Sequence, residues 1–285
     1  ESKEDNITMS ALSQSTTLTR VEGEQLKSMP FFQTVLALTW RTLVNNFRVP
    51  AAVLPGIIIS LFFLIIYEAS LGGASNFLPG LAGKSYLGFI LPLSVISSAL
   101  SGASLAGESI VRDIENGYFD KLMLTPVSRA ALVLGPMIAG AMLLGLQTLV
   151  VIATGLVLGL NPATGVLGLA ALVGYALLLG MAFSGFTVGI ALFTGSGAAT
   201  QGASFLFFPL SFLTATFVPL ELLNGWIRTA AEWNPITYIL GATRSLMLDG
   251  WQVEKLIPGL IACAIMGGVL FTFASFGLRS RVKRR

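Results

Sequence analysis

The chain contains no histidine. That single absence removes imidazole metal sites, histidine general bases and Ser–His or Cys–His nucleophile pairs. Its one cysteine, Cys263, excludes an internal disulfide and, set in an apolar run, reads as a small core residue. Charge is scarce too. Asp, Glu, Lys and Arg make up 11% of the residues against 54% hydrophobic ones, and none occurs from Ala130 to Leu220. A soluble domain carries about 25% charge, so these residues cannot cover a water-facing surface of this size. The composition defines an integral membrane protein, and the long uncharged runs make it helical rather than a β-barrel.

Six runs have the roughly 20 apolar residues a spanning helix needs. They cover about 49–71, 86–107, 130–160, 165–193, 198–217 and 256–278. Turns at Asn161–Gly165 and Thr194–Gly197 separate the third, fourth and fifth. With both termini in the cytoplasm, thirteen of the seventeen Lys and Arg fall on that side, and only Lys84, Arg228, Arg244 and Lys255 lie outside. This bias orients the chain, because basic loops resist translocation. The net charge of +3 then needs no nucleic acid to explain it. Residues 1–29 read as a flexible cytoplasmic tail. The basic tail, 281–285, is suited to anionic lipid headgroups.

Two apolar stretches do not read as spans. In 30–47, Phe32, Val35, Leu36, Leu43 and Phe47 share a face, with Gln33, Arg41 and Asn45 elsewhere, which predicts an amphipathic helix lying in the cytoplasmic interface. In 219–251, Glu221, Arg228, Glu232, Arg244 and Asp249 argue against crossing, and Asn234-Pro235 divides the stretch into two short helices, a re-entrant pair in the outer leaflet. All four tryptophans, Trp40, Trp226, Trp233 and Trp251, fall in these interfacial stretches.

The scarce charge gathers in one island, 108–129. Ile110, Ile114, Tyr118 and Leu122 recur every four residues, so the second spanning helix continues into the cytoplasm. Asn116-Gly117 then bends the chain, Tyr118 to Leu124 forms a second short helix, and Thr125 with Pro126 is expected to cap the next span. The apolar face of Tyr118, Phe119, Leu122 and Met123 requires burial, in lipid or in a groove of a cytoplasmic partner.

These residues resemble a known family. Glu115-x-Gly117, Asp120-x-Leu122 and Thr125-Pro126-Val127-Ser128-Arg129 look like the cytoplasmic loop of ABC-2 type permeases, the membrane subunits of a class of ATP-binding-cassette exporters. Many relatives have Glu-Arg-Glu-x-Gly-Thr-x-Glu there; this chain has Arg112-Asp113-Ile114-Glu115-Asn116-Gly117-Tyr118-Phe119-Asp120, with Tyr118 in place of the threonine. The stretch Phe208 to Trp251 resembles the family's fifth-to-sixth-helix segment. It carries Pro219, Gly225-Trp226, Asn234-Pro235-Ile236-Thr237-Tyr238 and then Arg244. The likeness covers residues 30–280 and is nearest to the daunorubicin-export branch.

The resemblance implies an all-α fold with a coupling helix between spans two and three. Arg112, Asp113, Glu115, Gly117, Tyr118, Phe119, Asp120 and Leu122 would couple it to a separate nucleotide-binding ATPase, which would hold ATP and Mg. This chain would bind no cofactor and no metal. A second permease subunit, identical or not, would complete the path. Phe205, Phe208, Phe212, Phe217, Glu221, Trp226, Asn234, Pro235, Tyr238 and Arg244 would form the path and outer gate. The aromatic lining implies an amphipathic or hydrophobic cargo such as a drug, lipid or glycolipid. A polysaccharide or lipid-linked glycan is the alternative, and a secondary transporter or channel a more distant one, since helices three to five carry no ionisable group. The expected location is the plasma membrane, the inner membrane of a bacterium. Gly83-Lys84-Ser85 ends like a phosphate loop, but Leu78 stands where the first glycine is required. The energy must come from another chain.

Overall fold

The computed structural model describes residues 30–73, 85–205, 209, 213–214, 220 and 223–283. Regular structure among them is entirely helical: α1 (Phe31–Phe47), α2 (Pro50–Leu71), α3 (Tyr86–Glu115), α4 (Tyr118–Met123), α5 (Arg129–Val157), α6 (Gly165–Thr194), α7 (Gly197–Phe205), α8 (Trp226–Trp233), α9 (Pro235–Leu248) and α10 (Val253–Lys283). Five helices, α2, α3, α5, α6 and α10, are long and apolar enough to cross a membrane. The remaining expected span, 198–217, is seen only as α7; most of the rest lies outside the described residues, with Phe208, Phe212, Phe217 and Glu221.

Local chemistry sets the boundaries. Pro50 opens α2 and Pro235 opens α9, positions where the missing N–H has no helical partner to lose. Asn234 caps α9 by accepting a hydrogen bond from the Ile236 N–H at 3.0 Å. Gly117 follows α3 with φ of 68°, a left-handed turn that tips the chain into α4. The cap of α5 differs from expectation. Ser128 accepts from the Ala131 N–H at 3.2 Å, while the Thr125 hydroxyl donates back to the Leu122 carbonyl at 2.6 Å. Thr125 is spent closing α4, so α5 starts after Ser128 rather than at Pro126.

Helix α6 packs against α3, α5 and α10. Small residues permit close approach. A Cβ at Gly107 of α3 would lie 2.8 Å from the Thr187 carbonyl oxygen of α6, and one at Gly180 would lie 2.9 Å from Cα of Ala141 on α5. Ile90 and Leu91 of α3, Leu144 of α5, Leu179 and Phe183 of α6 and Leu240 of α9 share the main core.

Helix α1 is amphipathic in a different sense from the sequence reading. The face that meets the protein is Thr34, Val35, Thr39, Thr42, Leu43 and Asn46. Phe32, Leu36, Trp40 and Phe47 point outward. Packing against the close backbone of Gly135 favours small side chains, and the Thr39 hydroxyl donates to its carbonyl at 3.1 Å. The bulky residues are left for the surroundings, as are Trp226, Trp233 and Trp251.

Candidate functional site

The charged island is assembled at one end of the bundle, where α3, α4, α1 and the start of α5 meet. Arg41 of α1 bonds Asp113 of α3 with both terminal nitrogens; Nη1 donates to Oδ2 at 2.8 Å, and Nη2 donates to Oδ1. This is the fork-to-fork geometry that only arginine offers a carboxylate. The guanidinium carbon also stands 3.9 Å from the centre of the Tyr118 ring on α4. The hydrogen-bonded carboxylate holds the Arg41 guanidinium above its ordinary value, against the opposing effect of burial. One helical position earlier, Arg112 donates to Asn46 Oδ1 at 2.9 Å.

These contacts redistribute the residues expected to face a partner. Phe119 is buried inside the chain, packed with Ile110, Val133 and Met137. Asp113 is 9% exposed. Leu122 and Tyr118 are half-buried. Outward at this end stand Glu115, Asn116, Lys121 and the loop Leu124-Thr125-Pro126, with Leu124 at 88% exposure. Sequence periodicity marked the apolar face but could not show that Phe119 packs in a core cluster with residues of α3, α5, α6 and α10 of the same chain. Leu124, the residue that follows α4, lies beyond the buried face.

Beside this assembly a cavity of about 750 Å³ opens between α2, α3 and α7. Its apolar walls include Pro55, Ile59 and Phe63 of α2, Leu105 of α3 and Phe205 of α7. A polar stripe runs along α3 through Ser97, Ser104, Glu108, Arg112 and Glu115, faced by Gln201 and Ser204. The volume suits a drug-sized molecule. Of the expected path residues, Phe205 is in this cavity. The α3 stripe was missed, although its spacing of seven, four, four and three residues marks one helical face.

The expected outer-gate residues lie toward the opposite end of the bundle. Arg244 is 9% exposed, donates through Nε to the Phe89 carbonyl at 3.1 Å and stacks 3.6 Å over that ring. Asn234 caps α9 and donates to the Leu213 carbonyl at 3.0 Å. The Tyr238 hydroxyl donates to the Glu232 carbonyl at 2.8 Å, across the α8–α9 bend. Trp226 is exposed and Pro235 opens α9. Arg244 thus ties α9 to α3, and Tyr238 ties α9 to α8. Among the described residues, no group of three or more His, Cys, Asp and Glu could hold a metal ion.

Helices long and apolar enough to cross a membrane carry a charged elbow at one end and a drug-sized cavity beside it. Residues 33–248 match the ABC-2 type transporter family, and the chain belongs to it. Over 243 residues it is 26% identical to the "Probable doxorubicin resistance ABC transporter permease protein DrrC" of Mycobacterium tuberculosis, covering 85% of this chain and 87% of that protein. Over 261 residues it is 23% identical to the "Daunorubicin resistance ABC transporter permease protein DrrB1" of Streptomyces coeruleorubidus, covering 90% and 89%.

Proposed function

We propose that this chain is the permease subunit of an ATP-driven exporter that moves an amphipathic or hydrophobic molecule, a drug, lipid or glycolipid, out of the cytoplasm or inner leaflet. The observation that carries this reading is the cavity between α2, α3 and α7, apolar on one wall and striped with polar groups on the other. Such a surface suits a cargo with one greasy and one polar side. Two relatives are named for resistance to doxorubicin and to daunorubicin, which favours a drug-like cargo.

In this reading both termini are cytoplasmic, in a plasma or bacterial inner membrane. Helix α4 is the coupling helix, and a second permease subunit closes the cavity's open side. ATP and Mg belong to a separate nucleotide-binding subunit, and this chain binds no cofactor. The α4 elbow offers that subunit an exposed apolar knob, Leu124, with the exposed Glu115 carboxylate on the same elbow. A groove with a hydrophobic floor and charged edges fits it.

Co-purification from the native host tests this. The tagged chain is expected to bring down an ATPase with vanadate-sensitive hydrolysis. Leu124→Asp with Glu115→Lys, both at exposed positions, is expected to lose it while the permease still extracts and elutes as a folded protein. If no ATPase accompanies the native chain, the exporter reading fails.

A further inference from the structure

The Arg41 side chain touches three helices at once. It belongs to α1, forks onto Asp113 of α3 and lies under the Tyr118 ring of α4. We infer that Arg41 is a positioning residue that makes α1 and α4 move as one piece, so that displacement of α4 is carried into α1 and on into α2. This rests on α4 being the surface that the ATPase moves.

The geometry is specific. Fork-to-fork pairing fixes both distance and plane, whereas a single hydrogen bond allows swivel. Stacking on Tyr118 fixes the remaining face of the guanidinium. A second tie runs parallel to the first, from Arg112 to Asn46. At the other edge of α1, Thr39 holds the Gly135 carbonyl of α5, where a Cβ would approach Leu38 to 2.6 Å. α1 is thus pinned to α3 and α4 on one side and to α5 on the other. Only Arg48 and Val49 separate its end from Pro50, the first residue of α2, which walls the cavity through Pro55, Ile59 and Phe63. A shift of α4 has a short, stiff route into the cavity wall. Packed side chains, hydrogen-bonded ion pairs and rigid helices are what carry such coupling between sites.

The test measures motion directly. Spin labels are placed in pairs at the exposed positions Leu36 on α1, Lys121 on α4 and Thr194 at the end of α6, in a Cys263→Ser background. Distances are recorded for the complex with its co-purified ATPase, without nucleotide and trapped with ATP and vanadate. In the native chain the 36–121 distance is expected to stay constant while 36–194 and 121–194 both change. In Arg41→Met the 121–194 change is expected to remain, the 36–194 change to be lost and the 36–121 distance to broaden. Arg41→Lys should restore the behaviour only in part, because it keeps the charge but not the fork. The exchange Arg41→Asp with Asp113→Arg keeps the pair, separates loss of the clasp from misfolding, and is expected to restore the 36–194 change. A 36–194 change equal in native and Arg41→Met protein would overturn the inference. So would a native α1 that does not respond to vanadate while α4 does. If neither helix of the native complex responds, α4 is not driven by the ATPase and the underlying reading falls instead.

Discussion

At the scale of single residues, packing in this chain is decided by which positions carry no side chain. Gly107 lies where a Cβ would meet the Thr187 backbone of α6 and Thr200 of α7. Backbone cannot yield as a flexible side chain can, so Gly107→Ala is expected to destabilise by about 1–3 kcal/mol, read as a lower melting temperature in detergent. Gly267, on α10, has nothing within 4 Å of its Cβ position. Gly267→Ala is expected to leave the melting temperature unchanged or raise it, since alanine is the better helix former by about 1 kcal/mol. If both variants melt alike, helix approach at Gly107 is not tight. Nothing in the sequence distinguishes these two glycines, because a close approach is a property of the neighbouring helix.

At the scale of elements, hydropathy and turn residues placed most of the fold. The ends of α3, α4, α6 and α9 follow from Asn116-Gly117, Gly195 and Asn234-Pro235, all local signals. What sequence left out is long-range. Arg41 and Asp113 are 72 positions apart, and no periodicity within either helix announces the pair. The charges of the island therefore read as a partner-facing rim, although two of them are turned inward onto α1. The same limit explains α1, whose threonine face was invisible to a search for apolar stripes. Its outward residues make a direct prediction. Trp40 is 68% exposed, and as an interfacial ring its fluorescence is expected to be quenched by lipids brominated high on the acyl chain. Quenching by aqueous iodide but not by lipid would place α1 in water.

At the scale of the whole molecule, the distribution of Lys and Arg predicts the orientation. Lys283 near the end of α10 is exposed, and so is Asn161 between α5 and α6, while Cys263 is buried. With Cys263 replaced by serine, Lys283→Cys is expected to react with an impermeant maleimide only in inverted vesicles, and Asn161→Cys only in intact cells. The reverse pattern would invert the topology. The cavity was not legible at this scale, because it forms where α2, α3 and α7 leave a space between them.

Helix α3 has 30 residues, about 45 Å at 1.5 Å per residue, whereas the hydrocarbon core is about 30 Å thick. It is also the most enclosed of the five long helices. The excess of about 15 Å matches the charged turns at its C-terminal end, which carry the Asp113 pairing with Arg41 and lead into the Gly117 elbow. Were the elbow pushed, α3 would act as a lever pivoting at the membrane surface, its outer arm about half the inner one. It would turn a small displacement at the elbow into one roughly twice as large at the far end, trading force for travel.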